Sequence, residues 1–121
     1  MERYARKHGF HQDHDSRFYH SDGSWIKKSD DSRFWERRTR KGELVRYYWA
    51  KDHIFEQQPL QIEADVWGLI EKFPELYALV LLDPQEEPME LVGARLRSMR
   101  EAGEITLHPA TYRLVYNDDH E

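Results

Sequence analysis

Residues 44–49 read LVRYYW and form the strongest strand pattern in the chain, because β-branched and aromatic side chains favour extended backbone. Alternate residues of a strand point to opposite faces, so Val45, Tyr47 and Trp49 share one face. That face is wholly apolar or aromatic, and we assign it to the core, which leaves Tyr48 on the other face.

Upstream of this strand, the turn signals predict an antiparallel meander. Asp22-Gly23 is a dipeptide typical of two-residue hairpin turns, and clusters of turn-forming residues recur twice before the strand begins. The intervening runs are candidate strands at 17–20, 24–28 and 33–40. We therefore predict a β-meander over residues 17–58, preceded by a polar, His-rich arm at 1–16.

Downstream, the hydrophobic period changes from that of a strand to that of a helix. An apolar stripe with the 3.6-residue period runs through Ile62, Val66, Leu69, Ile70 and Phe73. Residues 75–82, ELYALVLL, fit either a buried strand or a buried helix, and their Leu and Ala content favours helix. A third helix is predicted from Pro88, a good first residue, to Ala102, and Gly103 follows it as a good C′ residue. Two short strands, 104–107 and 111–116, close the predicted order.

The end of the chain resembles a winged helix-turn-helix domain. In that family a helix ends at Gly and is followed by a strand, a turn and a strand often written Tyr-Arg-Leu; here the text reads VGARLRSMREAGEI, then TLHPA, then TYRLVY. The resemblance covers residues 59–116. It implies that the helix Pro88–Ala102 reads a nucleic-acid groove, with Arg97 and Arg100 contacting bases or phosphates.

Composition and charge narrow the class of protein. The 121 residues suit one domain, and the absence of Cys excludes disulfides, thiolate metal sites and thiol nucleophiles. No apolar run suits a membrane span and no secretory signal is evident, so we expect a cytoplasmic protein without membrane contacts. The net charge of −5 is uneven: residues 1–58 carry 13 Lys+Arg against 10 Asp+Glu, and residues 59–121 carry 5 against 13. Such asymmetry suggests that the halves meet different partners, or each other in a homo-oligomer.

The meander holds the strongest local concentration of positive charge. Nine basic residues lie from Lys27 to Lys51 against four acidic ones, with aromatic residues interleaved. Cations neutralise phosphates and exposed rings stack on unpaired bases, so the pattern favours a nucleic-acid-binding sheet. The candidate phosphate contacts are Arg33, Arg37, Arg38, Arg40 and Lys41, with Arg97 and Arg100 as secondary candidates. The plainer alternative is an ordinary sheet with a solvated basic face. The positions of Trp35 and Tyr48 separate the two, because buried rings cannot stack on a ligand.

The N-terminal histidines are candidate ligands for a transition metal. Imidazole and carboxylate groups are typical zinc ligands, and the set we would test is His11, His14, Asp15 and His20. On a helix, the three-residue spacing of these histidines would spread them around the circumference, so a loop would hold a metal better. The chain has no nucleophile elbow, P-loop or dinucleotide-binding motif. We therefore expect no cofactor and favour a non-enzymatic role.

The predicted fold is α+β in a single unit over residues 1–121: an antiparallel meander, then a winged-helix-like helical half that ends in a β-hairpin. The favoured function is a non-enzymatic nucleic-acid-binding or regulatory accessory protein that uses the basic aromatic meander. The alternative is a protein–protein adaptor or small inhibitor protein that acts through its charge-asymmetric surfaces.

Overall fold

The computed structural model describes residues 1–13, 16–52, 59–108 and 113–117. Within these residues the chain forms three helices, α1 (Glu2–Lys7), α2 (Ala64–Lys72) and α3 (Gly93–Glu101). It also forms ten strands: β1 (Phe10–Gln12), β2 (Phe18–His20), β3 (Trp25–Lys28), β4 (Trp35–Arg38), β5 (Leu44–Lys51), β6 (Leu60–Gln61), β7 (Tyr77–Leu81), β8 (Met89–Val92), β9 (Ile105–His108) and β10 (Arg113–Tyr116). None of the described helices is long and apolar enough to cross a membrane.

Seven strands form one mixed sheet in the order β1-β2-β3-β4-β5-β7-β8. Neighbouring strands are antiparallel except β5 and β7, which run parallel. A parallel pair cannot be joined by a tight turn, so the chain passes through β6 and α2 between these two strands. The predicted meander is confirmed, because β2 to β5 are consecutive antiparallel neighbours. The predicted arm at 1–16 contains α1 and β1, and β1 extends the meander by one strand.

The remaining three strands form a small antiparallel sheet in the order β6-β10-β9. The predicted terminal hairpin is present in it, with Ile105 opposite Tyr116 and His108 opposite Arg113. This small sheet, α2 and α3 cover one face of the large sheet at β5, β7 and β8.

The central part of the large sheet, around β5 and β7, is buried on both faces. The main core lies under α2, α3 and the small sheet, and its buried residues include Phe34, Trp49, Leu79, Leu81, Leu91, Val66, Ile70, Leu96 and Leu114. The second core lies under α1 on the opposite face, and its buried residues include Tyr4, Ala5, Phe10, Phe18, Ile26, Tyr48, Ala78 and Val80. A sheet between two covering layers has few solvent-facing positions, and its strands can be apolar throughout.

The strand β5 shows this two-sided burial most directly. Tyr48 is 0% exposed in the second core, and Trp49, the next residue, is 8% exposed in the main core. The alternation correctly placed Trp49 in a core, but Val45 on the same predicted face is 37% exposed. A register shift between Arg37 and Arg38 interrupts the pairing of β4 with β5 near Val45.

The helix predicted at residues 75–82 is wrong, because Tyr77–Leu81 is the central strand β7. All four residues from Ala78 to Leu81 are buried, with Leu79 in the main core and Val80 in the second. A strand between two layers requires a continuous apolar run. Tertiary contacts of this kind override the modest helix preference of Leu and Ala.

The helix predicted from Pro88 begins instead at Gly93, because Met89–Val92 forms the edge strand β8. Leu91 pairs with Leu79 of β7 and is buried in the main core, whereas Met89 is 48% exposed. The predicted winged-helix-like helical half is therefore wrong. Of its three helices only two form, and the fold is mostly β-structure. The helix predicted within 59–73 does form as α2, although it is shorter.

The first residue of α3 packs against the chain that follows α2. A Cβ on Gly93 would lie 2.7 Å from the Pro74 carbonyl oxygen and 3.0 Å from the Ile70 carbonyl oxygen. Backbone atoms cannot rotate away, so we expect Gly93→Ala to lower the free energy of unfolding by about 1–3 kcal/mol. Urea denaturation measures this change.

Gly68 in α2 provides the matched control, because a Cβ there would meet nothing within 4 Å. Ala exceeds Gly in helix propensity by about 0.8–1 kcal/mol, so Gly68→Ala should hold or raise the stability. Equal effects at the two glycines would contradict the close packing of α3 on Pro74.

His8 makes the contribution of α1 dependent on pH. Its ring lies 4.3 Å from the Tyr4 ring, and burial lowers the pKa of His8 below 6.5, with Arg37 and Lys7 lowering it further against the opposing effect of Glu90. The folded state therefore takes up its proton at lower pH than the unfolded state. The contribution of His8 to stability is complete above about pH 6.5 and decreases as the pH falls toward its folded pKa.

The variant His8→Phe keeps an aromatic ring on Tyr4 but removes the titrating group. We expect it to lose less unfolding free energy than the natural sequence between about pH 8 and about pH 5. Urea denaturation of both proteins at each pH measures the difference, and an identical pH dependence would show that His8 has no part in it.

Candidate functional site

The β2–β3 and β4–β5 turns lie side by side at one end of the meander, because Trp25 pairs with Arg38. Between them is a groove of about 680 Å³, here called the tip groove. It is lined by Asp22, Ser24, Arg37, Thr39, Arg40, Lys41, Glu43 and Val45. Three of the cations that the sequence singled out for phosphate contact therefore meet in one concave place.

The guanidinium of Arg37 is held in position by aromatic groups. It lies 5.2 Å from the centre of the Phe10 ring and donates a hydrogen bond of 3.4 Å to the Tyr48 hydroxyl. The Tyr4 hydroxyl donates to the same oxygen at 3.1 Å. Burial opposes the charged form, but the Tyr48 contact and the nearby Tyr4 and Glu90 raise the pKa of Arg37 overall. Arg37 is thus a charged lining residue of the groove whose guanidinium is fixed against Tyr48 and Phe10.

Arg40 and Lys41 differ from most of the neighbouring cations, because within the described part of the chain neither has an ion pair or a hydrogen bond. The stem of Arg40 passes over Gly23, where an added Cβ would lie 2.7 Å from the Arg40 Cγ. Gly23 also has a φ of +91°, a conformation that glycine adopts without strain. The charged ends of both side chains are therefore available to a ligand.

Two carboxylates also line the tip groove, and one of them is already engaged. Asp22 accepts hydrogen bonds from the Ser24 amide at 2.8 Å and the Ser24 hydroxyl at 2.5 Å, and its carboxylate lies 3.1 Å from the His20 ring. The Ser24 contacts lower the pKa of Asp22, with a smaller effect from His20. With Glu43 as the second acid, the three cations leave the groove with a net positive charge.

Arg33 does not join this set, because it lies at the opposite end of the β3–β4 hairpin. Its guanidinium contacts the carboxylates of Asp31 at 2.7 Å, Glu63 at 2.7 Å and Asp65 at 2.9 Å. These hydrogen bonds raise the pKa of Arg33 strongly, Asp31 contributing most. A cation surrounded by three carboxylates has little capacity left for a phosphate, and Arg33 instead joins the meander to the start of α2.

Arg97 and Arg100 lie on α3 and also contact the protein itself. Arg97 donates to the Glu71 carbonyl oxygen at 3.4 Å, and Arg100 lies 3.8 Å from the Glu71 carboxylate and 5.7 Å from the Trp67 ring. Both arginines line a cavity of only about 30 Å³, too small for a phosphate group. The helix implied by the winged-helix resemblance is present as the shorter α3, but both of its candidate arginines contact α2 of the protein itself.

The rings of Trp35 and Tyr48, which were to distinguish base stacking from a solvated basic face, are not accessible for stacking. Tyr48 is 0% exposed, and its partner Trp35 is half-buried against the second core, beneath the Lys28 ammonium at 4.8 Å. The rings at the uncovered side belong to the opposite face, where Tyr19 pairs with Trp25. Sequence reasoning passed over these two, although the inward position of Ile26 could have indicated that its neighbour Trp25 points the other way.

Of the four predicted metal ligands, His14 and Asp15 lie outside the described residues, and His11 and His20 lie within them. His11 pairs with Tyr19, and His20 pairs with Phe10 on the neighbouring register. Since adjacent residues of a strand alternate, this register places His11 and His20 on opposite faces of the sheet. Among the described residues no group of three or more potential ligands could hold a metal ion.

Substitutions at two turn glycines can test whether the Arg40 side chain is held in place over Gly23. Gly23 and Gly42 both have positive φ, at +91° and +86°, so alanine at either should cost about 1 kcal/mol in backbone strain. An added Cβ meets Arg40 only at Gly23, and nothing within 4 Å at Gly42. We therefore expect Gly23→Ala to lower the free energy of unfolding further than Gly42→Ala in urea denaturation. Equal losses would mean that Arg40 moves aside freely.

Comparisons with protein-family models, with curated proteins and with solved structures found no significant match to this chain. What it can bind must then be inferred from its own side chains. These offer a positively charged groove at the tip of the meander and, on the other side of the same strands, an aromatic face that none of the described elements covers.

Proposed function

We propose that the protein binds nucleic acid without catalysing a reaction, through the basic end of its β-meander. The observation that carries the proposal is the convergence of Arg37, Arg40 and Lys41 on the tip groove, with two of the three unpaired among the described residues. A phosphodiester oxygen is an anionic acceptor, and Arg and Lys side chains are its usual partners in proteins. The Thr39 hydroxyl in the same groove accepts a hydrogen bond from the Glu43 amide at 3.2 Å and keeps its own proton to donate to a phosphate oxygen.

The distribution of charge limits where a polyanion can sit. Residues 59–121 carry 13 acidic residues against 5 basic ones, so a nucleic acid would be repelled from that half. The groove belongs entirely to the half with the positive balance. A binding site with about three phosphate contacts predicts a slope of log K against log salt of about −2 to −3.

The test is fluorescence anisotropy with labelled DNA and RNA oligonucleotides over a range of salt concentrations. The double substitution Arg40→Ala/Lys41→Ala should weaken binding at low salt by about tenfold and make the salt slope less steep by about 1–2, since one phosphate contact is lost with each cation. Neither side chain has a described contact whose loss would unfold the protein.

The matched control is Lys72→Ala/Arg95→Ala, which removes the same charge from two exposed positions on α2 and α3. It should leave the slope unchanged. Absence of any salt-dependent binding to nucleic acid, or equal weakening by the two double variants, would refute the proposal. The adaptor hypothesis would be supported instead if the protein bound none of the oligonucleotides and eluted in a stoichiometric complex with another protein in size-exclusion chromatography.

A further inference from the structure

The face of the meander opposite α1 consists of two cross-strand rows of side chains. Residues that pair across a sheet point to the same side, so the pairing of Tyr19 with Trp25, and of Trp25 with Arg38, forms the first row. The second row follows from the pairing of Lys27 with Glu36, Glu36 with Tyr47 and Tyr47 with Tyr77. We call this surface the open face; its residues are Tyr19, Trp25, Lys27, Glu36, Arg38, Tyr47 and Tyr77.

The open face begins where the main core ends. Phe34 lies two residues before Glu36, and Trp49 lies two residues after Tyr47; both are buried in the main core. Tyr47 and Tyr77 pack at its border, with ring centres 5.2 Å apart and planes inclined by 28°. Among the described residues, neither core includes Tyr19 or Trp25, and both are half-buried. The Lys27 ammonium lies 5.2 Å from the centre of the Trp25 ring, so a cation already stands beside one of these rings. The two rings are partly accessible on a surface that no described element covers.

The charges on the open face suit a phosphate chain. Glu36 is buried, and its carboxylate lies 3.7 Å from the Lys27 ammonium and 3.3 Å from the Arg38 guanidinium. One acid against two cations leaves a net positive charge beside the rings. Arg38 also donates to the Gly42 carbonyl oxygen at 2.8 Å, which fixes its position at the same tip as the groove.

We propose that the open face stacks unpaired bases, and that the ligand is therefore single-stranded nucleic acid. The inference rests on the proposed function and names the class of ligand. Bases in a duplex are covered by their neighbours, whereas a single strand presents them to Tyr19 and Trp25. The strands of a sheet are about 4.8 Å apart, so rings on adjacent strands can meet adjacent bases. Arg37 and Arg38 are consecutive in β4 and point to opposite faces, so the phosphate chain can continue over the tip into the groove.

The experiment compares one oligonucleotide as a single strand, as a duplex and as a single strand of abasic sites. We expect the single strand to bind at least about tenfold more tightly than either of the others, because both lack accessible bases. The substitution Trp25→Ala should weaken single-strand binding by about tenfold and leave the abasic strand unaffected, whereas Trp25→Phe should retain most of the affinity. Met89→Ala, which removes an exposed apolar side chain, 48% accessible, from the edge strand β8, should change nothing.

The outcomes separate this inference from the proposed function. Equal binding of the single strand, duplex and abasic strand, still reduced by Arg40→Ala/Lys41→Ala, would overturn base stacking and leave phosphate binding intact. Binding of none of them would overturn both. Should Trp25→Ala fail to fold by circular dichroism, the abasic strand and Trp25→Phe still decide: equal binding of the abasic strand overturns the inference, and preference for the strand with bases supports it.

Discussion

Tyr48 and Trp49 are consecutive residues of β5, and their burial in opposite cores is the constraint on which the rest of the structure depends. A strand with large side chains on both faces must be covered on both. On one side α1 supplies Tyr4, whose hydroxyl bonds to that of Tyr48. On the other side α2, α3 and the small sheet pack over Trp49, and the parallel strand β7 continues both cores beside it.

The strands of the large sheet are less deeply buried by other elements the farther they lie from β5. The extent of this burial decides which side chains remain accessible to a ligand. The strands β7 and β8 contact both α3 and the main core, so their residues serve packing. The meander strands β2 to β4 are covered mainly on the α1 side. On their other face Glu36 is buried, whereas Tyr19, Trp25, Lys27 and Arg38 are half-buried and keep part of their surface accessible. On β4 the alternation separates the two candidate surfaces, since Arg37 points toward the groove and Arg38 toward the open face.

Part of the opposite charge on the two halves is neutralised by ion pairs between them. Carboxylates of the acidic half pair with cations of the basic half, as Glu63 does with Arg33 and Glu90 with Arg46 at 3.3 Å. Exposed pairs of this kind contribute little stability, typically below about 1 kcal/mol, but they orient the side chains involved. In the tip groove, Glu90 of the acidic half acts on Arg37, but Arg40 and Lys41 form no ion pair with the described acids of that half. The local excess of positive charge therefore persists where it concerns binding.

Local patterns in the sequence determined the meander, its turns, the terminal hairpin and the presence of α2, because Asp22-Gly23, the alternation of LVRYYW and the 3.6-residue stripe are properties of near neighbours. They also singled out Arg37, Arg40 and Lys41. Only the tertiary structure decided that residues 77–81 form a strand and residues 89–92 another, that Arg33 is bound by carboxylates, and that Trp25 rather than Tyr48 is accessible. Each of these depends on residues far apart in the chain, since burial on two faces and charge pairing across layers leave no periodic trace in a local stretch.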